Sequence, residues 1–312
     1  MHIFLSFLNN FTPSFAKYQR KMKVTKTVRE IRNLLKADRS GLLGFVPTMG
    51  ALHQGHVSLV INAVKKCPLV VVSIYVNPSQ FNDTEDLKKY PRTNDSDLAL
   101  LDKTLREKDI VFIPDDNEIY PVPDNREFDF GNAGRVMEAL YRPGHFNGVG
   151  RVVTRLFDIV QPDMAFFGMK DFQQVAIVKE LVKQNNYRIR IVGNPIIREP
   201  DGLAMSSRNI MLEPEMRKKA PEIYSTISKA AGMLPHHDIP EIRKFVVNTL
   251  EIDTGLQVEY FEIVDDRNLI PVNNKSEMKK NRNYYGCIAV KAGRIRLIDN
   301  IEFPLPGIKK VN

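Results

Sequence analysis

The chain has 312 residues, of which 43% are apolar, and this is enough to fill the cores of one large or two modest domains. Its formal charge of +8 is concentrated at the start. The first 29 residues hold six basic and no acidic side chains, which leaves 39 of the 45 basic residues against 37 acidic ones. Because this remainder is nearly balanced and no aromatic residues are interleaved with a basic stripe, we expect no nucleic-acid partner.

The two cysteines, Cys67 and Cys287, lie far apart in the sequence. This excludes a disulfide framework and a zinc module built from close thiol pairs. No run approaches the roughly 18 consecutive apolar residues of a membrane-spanning helix, so we expect no membrane partner. In the N-terminal extension, residues 1–21, the positive charges follow an apolar stretch, which is the wrong order for a secretory signal. We expect a cytoplasmic protein, with mitochondrial targeting by this extension as the alternative.

Helical and strand patterns alternate over residues 22–196. In chain order they predict a helix from residue 28, a strand over 42–46, a helix over 56–66, a strand over 69–76, a helix over 95–108, a strand over 110–113, a helix over 149–160, a strand over 164–167, a helix over 171–184 and a strand over 189–192. The strands are apolar without alternation, as in buried parallel sheets. The expected fold is α/β, with a doubly wound, Rossmann-like parallel sheet forming a nucleotide-binding domain.

The segment 196–208 breaks this alternation with Pro200, Gly202 and a polar cluster, and a domain boundary is predicted there. Beyond it the patterns predict helices over 214–233 and 239–250, then strands over 258–264, 285–292 and 294–298. We therefore expect residues 197–312 to form a smaller C-terminal α+β domain that acts as a lid.

In a doubly wound sheet, ligands bind beyond the carboxyl ends of the strands. The first predicted strand exits into Gly50, His53, Gly55 and His56, and the last two open a helix. Histidines beside backbone N–H groups at a helix start suit an anion such as phosphate. Ordinary surface or core histidines are one alternative. A metal site is the other, and it is less favoured because no carboxylate or third histidine lies nearby in the sequence.

Two more segments carry groups suited to a nucleotide. After the strand 164–167, Gly168 allows a close backbone approach and Lys170 supplies a mobile charge. Asp171 is suited to ribose hydroxyls or, more commonly, to capping the next helix. At the predicted domain junction, Ser206–Ser207–Arg208 follows Gly202, which suits a loop that closes over a triphosphate.

Five motifs in order resemble the pantothenate synthetase family, also called pantoate–β-alanine ligases, within the His-x-Gly-His nucleotidyltransferase superfamily. They read PTMGALHQGH at 47–56, VNPSQF at 76–81, YPRT at 90–93, FGMKDFQQ at 167–174 and GLAMSSRN at 202–209. The resemblance extends from about residue 22 to Leu297–Asn300 and implies condensation of (R)-pantoate with β-alanine to pantothenate, AMP and diphosphate through pantoyl adenylate. Another adenylyltransferase of the superfamily, acting on a phosphorylated acceptor, is the alternative.

The resemblance also implies roles for individual residues. The catalytic residues would be His56, the proton donor, with His53, Lys170 and Arg208. ATP would be bound by Met49, Gly50, His53, Gly55, His56, Gly168, Met169, Lys170, Asp171, Ile197, Met205, Ser206, Ser207 and Arg208. Gln80 and Gln174 would bind pantoate, with Gln80 also next to β-alanine. Met169 departs from the polar residue, commonly glutamate, that is usual in the family.

Cofactors and assembly are implied in the same way. ATP would be the co-substrate and Mg²⁺ would accompany it, with unknown protein ligands. Asp95 and Asp97 are candidates for that role, or else charges in the first turn of a helix. A homodimer is expected from the resemblance alone.

Overall fold

The computed structural model describes residues 21–82 and 84–305. Its strands are β1 Lys23–Thr25, β2 Leu43–Thr48, β3 Leu69–Ile74, β4 Ile110–Phe112, β5 Met164–Gly168, β6 Arg190–Asn194, β7 Gln257–Asp265, β8 Tyr284–Ala292 and β9 Ile295–Phe303. Its helices are α1 Val28–Asp38, α2 Gln54–Lys66, α3 Thr84–Lys89, α4 Asn94–Asp102, α5 Asp116–Ile119, α6 Glu138–Tyr141, α7 His145–Val160, α8 Phe172–Gln184, α9 Pro214–Lys219, α10 Glu222–Met233 and α11 Ile239–Asn248.

Within the described residues, the first six strands form one parallel sheet in the order β1-β4-β3-β2-β5-β6. The chain moves outward from β2 to β3 on one side and returns to β5 on the other. This reversal at β2 and β5 is the topological switch point, where open α/β sheets bind ligands. The doubly wound, Rossmann-like fold expected from the sequence is confirmed.

Apolar side chains cover both faces of this sheet. On one face α7 and α8 pack with Phe45, Val71 and Phe167, and on the other α2 and α4 pack with Val70 and Phe166. All six residues of β3 are buried, which explains why its sequence is β-branched without alternation. The site described below therefore rests on a sheet held rigid from both sides.

The C-terminal part of the chain forms a smaller α+β unit, as expected. The strands β7, β8 and β9 form an antiparallel sheet, and α10 and α11 pack against it around a separate apolar core. Its residues reach back to the first unit. A partly buried ion pair joins Glu138 of α6 to Arg296 of β9, and the second unit therefore packs against α6 of the first.

Several element boundaries differ from the expected ones. The helix expected over 95–108 ends at Asp102, because the main-chain N–H of Arg106 donates to the Asp109 carboxylate at 2.8 Å and closes a turn instead. The helix expected over 214–233 is divided into α9 and α10 at Pro221, which lacks the N–H donor a continuous helix needs. Strand β1, at the sheet edge, was not expected.

Candidate active site

A cleft of about 210 Å³ lies at the carboxyl ends of β2 and β5. Its wall contains fourteen of the sixteen predicted site residues: Met49, His53, Gly55, His56, Gln80, Gly168, Lys170, Asp171, Gln174, Ile197, Met205, Ser206, Ser207 and Arg208. Gly50 and Met169 are the two that do not line it. Residues from four separate segments of the chain thus meet at the switch point of the sheet.

Gly50 and Met169 lie next to the cleft without lining it. Gly50 has a φ of +80°, and a Cβ there would lie 3.1 Å from the Asp97 carboxylate, so glycine allows the loop after β2 to turn. The side chain of Met169 points away from the cleft and lies against Gly193 of β6. This orientation explains how a methionine is accommodated where the family usually has a polar residue.

The loop after β2 is held by a buried carboxylate of α4. Asp97 accepts the main-chain N–H groups of Ala51 and Leu52 at 2.9 and 2.8 Å, and its other partner is the Thr93 hydroxyl. Burial raises the pKa of Asp97. Because its oxygens are occupied in shaping this loop, Asp97 is a structural residue and is poorly suited to the metal-ligand role considered for it.

The two histidines of the loop cap the start of α2 together. The Nδ1 of His53 accepts the N–H of Gly55 at 3.1 Å, and the Nδ1 of His56 accepts the N–H of His53 at 3.3 Å. Their rings lie with centroids 4.2 Å apart. Because Nδ1 accepts in both rings, a neutral ring carries its proton on Nε2. Each histidine therefore keeps an Nε2–H donor.

Both histidines are neutral around pH 7. Burial, with Lys170 nearby, lowers the pKa of His53 to about 4. Burial, with His53 and Lys170 nearby, lowers the pKa of His56 to about 3. The site without nucleotide therefore offers two hydrogen-bond donors beside the N-terminus of α2, which suits phosphate oxygens without two extra charges.

The fixed positive charges come from Lys170 and Arg208. The Lys170 ammonium lies 3.9 Å from the Asp171 carboxylate, and Arg208 pairs with Asp86 of α3 at 2.8 Å. Both cations line the cleft and both already have an acidic partner. A polyanion entering the cleft would therefore compete with two carboxylates for them.

The segment 197–205 folds back on itself to form another wall of the cleft. The N–H of Met205 donates to the Ile197 carbonyl at 3.0 Å, which places these two apolar side chains side by side. Beyond the turn, the Ser207 hydroxyl donates to the Ala51 carbonyl at 2.9 Å. This bond joins the serine and arginine loop to the histidine loop.

Gln80 enters the cleft from the loop after β3, and its backbone is firmly held. The Gln80 carbonyl accepts from His145 Nδ1 at 2.7 Å, and Asn77 donates to the Gly148 carbonyl at 3.1 Å. A Cβ at Gly148 would lie only 2.2 Å from the Ser79 carbonyl oxygen. The loop therefore sits directly on the first turns of α7, where only glycine allows such close contact.

The adjacent glutamines at the start of α8 have different surroundings. Gln173 is buried, and its amide donates to the carbonyls of Ala133 and Val136 while accepting from the N–H of Glu138. Gln174 faces the cleft. The resemblance names Gln174 as a pantoate residue, and of the two glutamines it is the one that lines the cleft.

Sequence reasoning missed the apolar wall of the cleft. It comes from one face of α7, namely Val149, Val152, Val153 and Leu156. Their spacing is the ordinary pattern of a helix buried against a sheet, so nothing in the pattern separates a core residue from one that contacts a ligand.

Among the described residues, no group of three His, Cys, Asp or Glu side chains could hold a metal ion. No helix in the described part of the chain is both long and apolar enough to cross a bilayer.

Comparison with known proteins shows which family has this sequence and arrangement. Residues 23–302 match the family model for pantoate-beta-alanine ligase. A pantothenate synthetase of Bacteroides thetaiotaomicron is 48% identical over 284 residues, which cover 90% of this chain and 99% of the relative. A pantothenate synthetase of Porphyromonas gingivalis is 45% identical over the same shares of both chains.

Solved structures agree with these matches. The crystal structure of pantothenate synthetase from Thermus thermophilus superposes with a TM-score of 0.83 at 38% identity, covering 90% of this chain and 99% of the other. The ligase from Francisella tularensis, solved with beta-gamma ATP and beta-alanine, gives 0.72 at 31% identity, covering 90% and 97%. With the family model matched over almost all the described residues, the chain belongs to the pantoate-beta-alanine ligase family.

Proposed function

We propose that this ATP-dependent, pantothenate-forming ligase works through pantoyl adenylate in the cleft at β2 and β5. The observation that carries the proposal is the meeting, in one cleft, of the histidine loop, Lys170, Arg208 and the two glutamines Gln80 and Gln174. In support, the Francisella tularensis relative was solved with a nucleotide and beta-alanine together.

The first step would transfer the adenylyl group. A pantoate carboxylate oxygen attacks the α-phosphorus of ATP, the bond to the bridging oxygen breaks, and diphosphate leaves. His53 and His56 donate from Nε2 to phosphate oxygens, while Lys170 and Arg208 stabilise the charge that develops on the departing diphosphate. The Ser206 hydroxyl adds a hydrogen bond to the triphosphate, and the Ser207 hydroxyl would do so by releasing the Ala51 carbonyl. No covalent bond to the protein forms.

The glutamines and the apolar wall would hold pantoate. Gln80 and Gln174 orient its hydroxyl and carboxylate groups by hydrogen bonds, and the valines of α7 cover its methyl groups. In the second step the neutral amine of β-alanine, held near Gln80, attacks the acyl carbon. The carbon–oxygen bond to AMP breaks, and the nitrogen loses a proton.

Mg²⁺ is proposed as the companion of ATP. The described residues hold no cluster of three metal ligands, so the triphosphate oxygens and water would supply most of its coordination. When bound, the ion neutralises charge on the phosphates. We also propose the remaining expectations: a domain boundary between 196 and 197 and no nucleic-acid partner, both from the sequence pattern, and a homodimer from the resemblance. The N-terminal extension lies, except for Lys21, outside the described residues.

A product assay tests the proposed function. The protein is incubated with ATP, Mg²⁺, pantoate and β-alanine, and products are identified by mass spectrometry. We expect pantothenate and AMP in equal amounts, and exchange of labelled diphosphate into ATP that requires pantoate but not β-alanine. ADP as the product would contradict the adenylate mechanism. Exchange that needs a phosphorylated acceptor instead of pantoate would support the other superfamily reaction.

A further inference from the structure

We propose that Asp299 and Asn300, near the end of β9, are positioning residues that hold two of the ATP-binding segments in place, the one around Lys170 and the one at 197–208. The inference rests on the proposed function of the cleft, because it assigns ATP to the segments around Lys170 and residues 197–208. Neither residue lines the cleft, so neither is proposed to touch substrate.

The Asn300 side chain holds the Lys170 segment. Its Nδ2 donates to the main-chain carbonyls of Met169 and Lys170 at 2.9 and 3.0 Å. Both hydrogens of one amide are thus used on two consecutive peptide units of the short turn between β5 and α8. Asn300 is 5% exposed, so water is a poor substitute for this amide.

The Asp299 side chain holds the other segment through Arg198. Its two carboxylate oxygens accept from Arg198 Nη1 and Nη2 at 2.6 and 3.0 Å, which is a bidentate pair. Arg198 also donates to the Gly202 carbonyl at 3.2 Å and stacks over Tyr224, with its guanidinium carbon 3.6 Å from the ring centroid. Arg198 thus connects the folded-back segment 197–205 to β9, because it contacts both Gly202 within that segment and Asp299 of β9.

The two attachments are joined to each other. The main-chain N–H of Asn300 donates to the Asp299 carboxylate at 2.8 Å, so the two side chains have a fixed relative position. A shift of β9 would move the Lys170 backbone and the Ile197–Met205 pair together. The consequence is that residues outside the cleft set the distance between Lys170 and the Ile197–Met205 pair.

The test replaces Asn300 by Asp, which has the same shape but presents oxygens to two carbonyl oxygens. We expect the KM for ATP to rise about tenfold or more, because two hydrogen bonds are lost to like-charge contacts, while the KM for pantoate changes less than about twofold. Arg198→Lys, which keeps the charge but loses the fork, should raise the KM for ATP in the same way.

Asn132→Asp is the matched control. The Asn132 amide also donates to two consecutive carbonyls, those of Asn268 and Leu269 at 2.9 Å each, and also joins the two units, but away from the cleft. This variant should leave both KM values unchanged. Thermal unfolding of every variant shows whether it is folded, and Arg198→Lys carries the test if Asn300→Asp is not.

The outcomes separate the inference from the proposed function. An unchanged KM for ATP in folded Asn300→Asp and Arg198→Lys, or an equal rise in both KM values, overturns the positioning role. Lys170→Ala examines the cleft itself: if that variant keeps the wild-type KM for ATP, the proposed function of the cleft fails instead. A rise in Lys170→Ala without one in the other two variants rejects only the positioning role.

Discussion

At the scale of single residues, the histidine pair shows how one side chain serves structure and chemistry through different atoms. His56 uses Nδ1 to accept the N–H of His53 and keeps Nε2–H as a donor. Because burial lowers the pKa of His56 to about 3, it donates as a neutral ring in the absence of nucleotide. Its helix-capping role and its proposed catalytic role can therefore be separated by substitution.

We predict that His56→Asn reduces kcat by about 10²-fold or more with little loss of stability. The asparagine amide oxygen can occupy the position of Nδ1 and keep the cap, but nothing replaces the Nε2–H donor to the phosphates. His56→Gln is the complementary variant, because glutamine is a usual residue at the third position of a capped helix, so it can keep the bond to the His53 N–H, and its amide nitrogen can donate near the position of Nε2. Steady-state kinetics and thermal unfolding, measured together, distinguish the two effects.

The two variants should differ in turnover and not in stability. His56→Asn should be stable and slow, whereas His56→Gln should be equally stable and retain more of its turnover. If His56→Asn turned over at the wild-type rate, His56 would have no part in the chemistry.

At the scale of elements, the loop carrying Gln80 depends on the close approach of α7. We predict that Gly148→Ala raises the KM for pantoate about tenfold or more and lowers stability by about 1–3 kcal/mol. The added Cβ would lie 2.2 Å from the Ser79 carbonyl oxygen, and a backbone atom cannot rotate away. The displaced loop would carry Gln80 with it.

A second glycine provides the control. Gly232 in α10 has no atom within 4 Å of an added Cβ, so Gly232→Ala should leave the kinetics unchanged and be neutral or slightly stabilising. Enzyme kinetics and chemical unfolding of the two variants test the contact. A Gly148→Ala protein with wild-type pantoate KM would show that the loop does not need this contact.

The elements also show what the sequence can predict. Strong helical spacing located α1, α7 and α8, and continuous β-branched runs located β3, because burial on both faces imposes those patterns. Strand β1 pairs with β4 alone among the described strands. Its three residues are too few for a detectable pattern. The end of α4 depends on one side-chain contact of Asp109, which is also invisible in a periodic pattern.

The residues of the cleft also divide into those with a local sequence pattern and those that depend on tertiary contacts. Its loops carry unusual residues at strand ends, and these were predicted because parallel strands bring their exits together. Arg198 and Asn300 were not predicted, because their proposed positioning role depends on contacts between residues about 100 and 130 positions apart. Such contacts are properties of the tertiary structure and leave no local signal.

At the scale of the whole molecule, a partly buried ion pair helps to join the two units. Glu138 of α6 meets Arg296 of β9 through two hydrogen bonds of 2.7 Å and accepts the Tyr260 hydroxyl at 2.8 Å. Burial alone would raise the pKa of Glu138, but Arg296 and Tyr260 hold it below its ordinary value. Glu138 is therefore charged at neutral pH, and its removal would leave the Arg296 guanidinium without its bidentate acceptor.

We predict that Glu138→Gln lowers the free energy of unfolding by about 3 kcal/mol, because removing one partner leaves the partly buried charge of Arg296 without its bidentate acceptor. The loss should be at the low end for such pairs, since Arg296 Nε keeps its bond to Glu259 at 2.7 Å. Adding Arg296→Met should recover part of the loss, as an apolar side chain needs no partner. Denaturant unfolding of the single and double variants measures both effects.

The exposed pair of Glu215 and Lys218 in α9 serves as the control. It has nearly the same separation, 2.9 Å, but both side chains are about 70% exposed. Glu215→Gln should therefore change the free energy of unfolding by less than about 0.5 kcal/mol, since water replaces the lost partner. If Glu138→Gln were equally mild, the ion pair would contribute little to joining the units, and the apolar contacts between them would have to supply the stability instead.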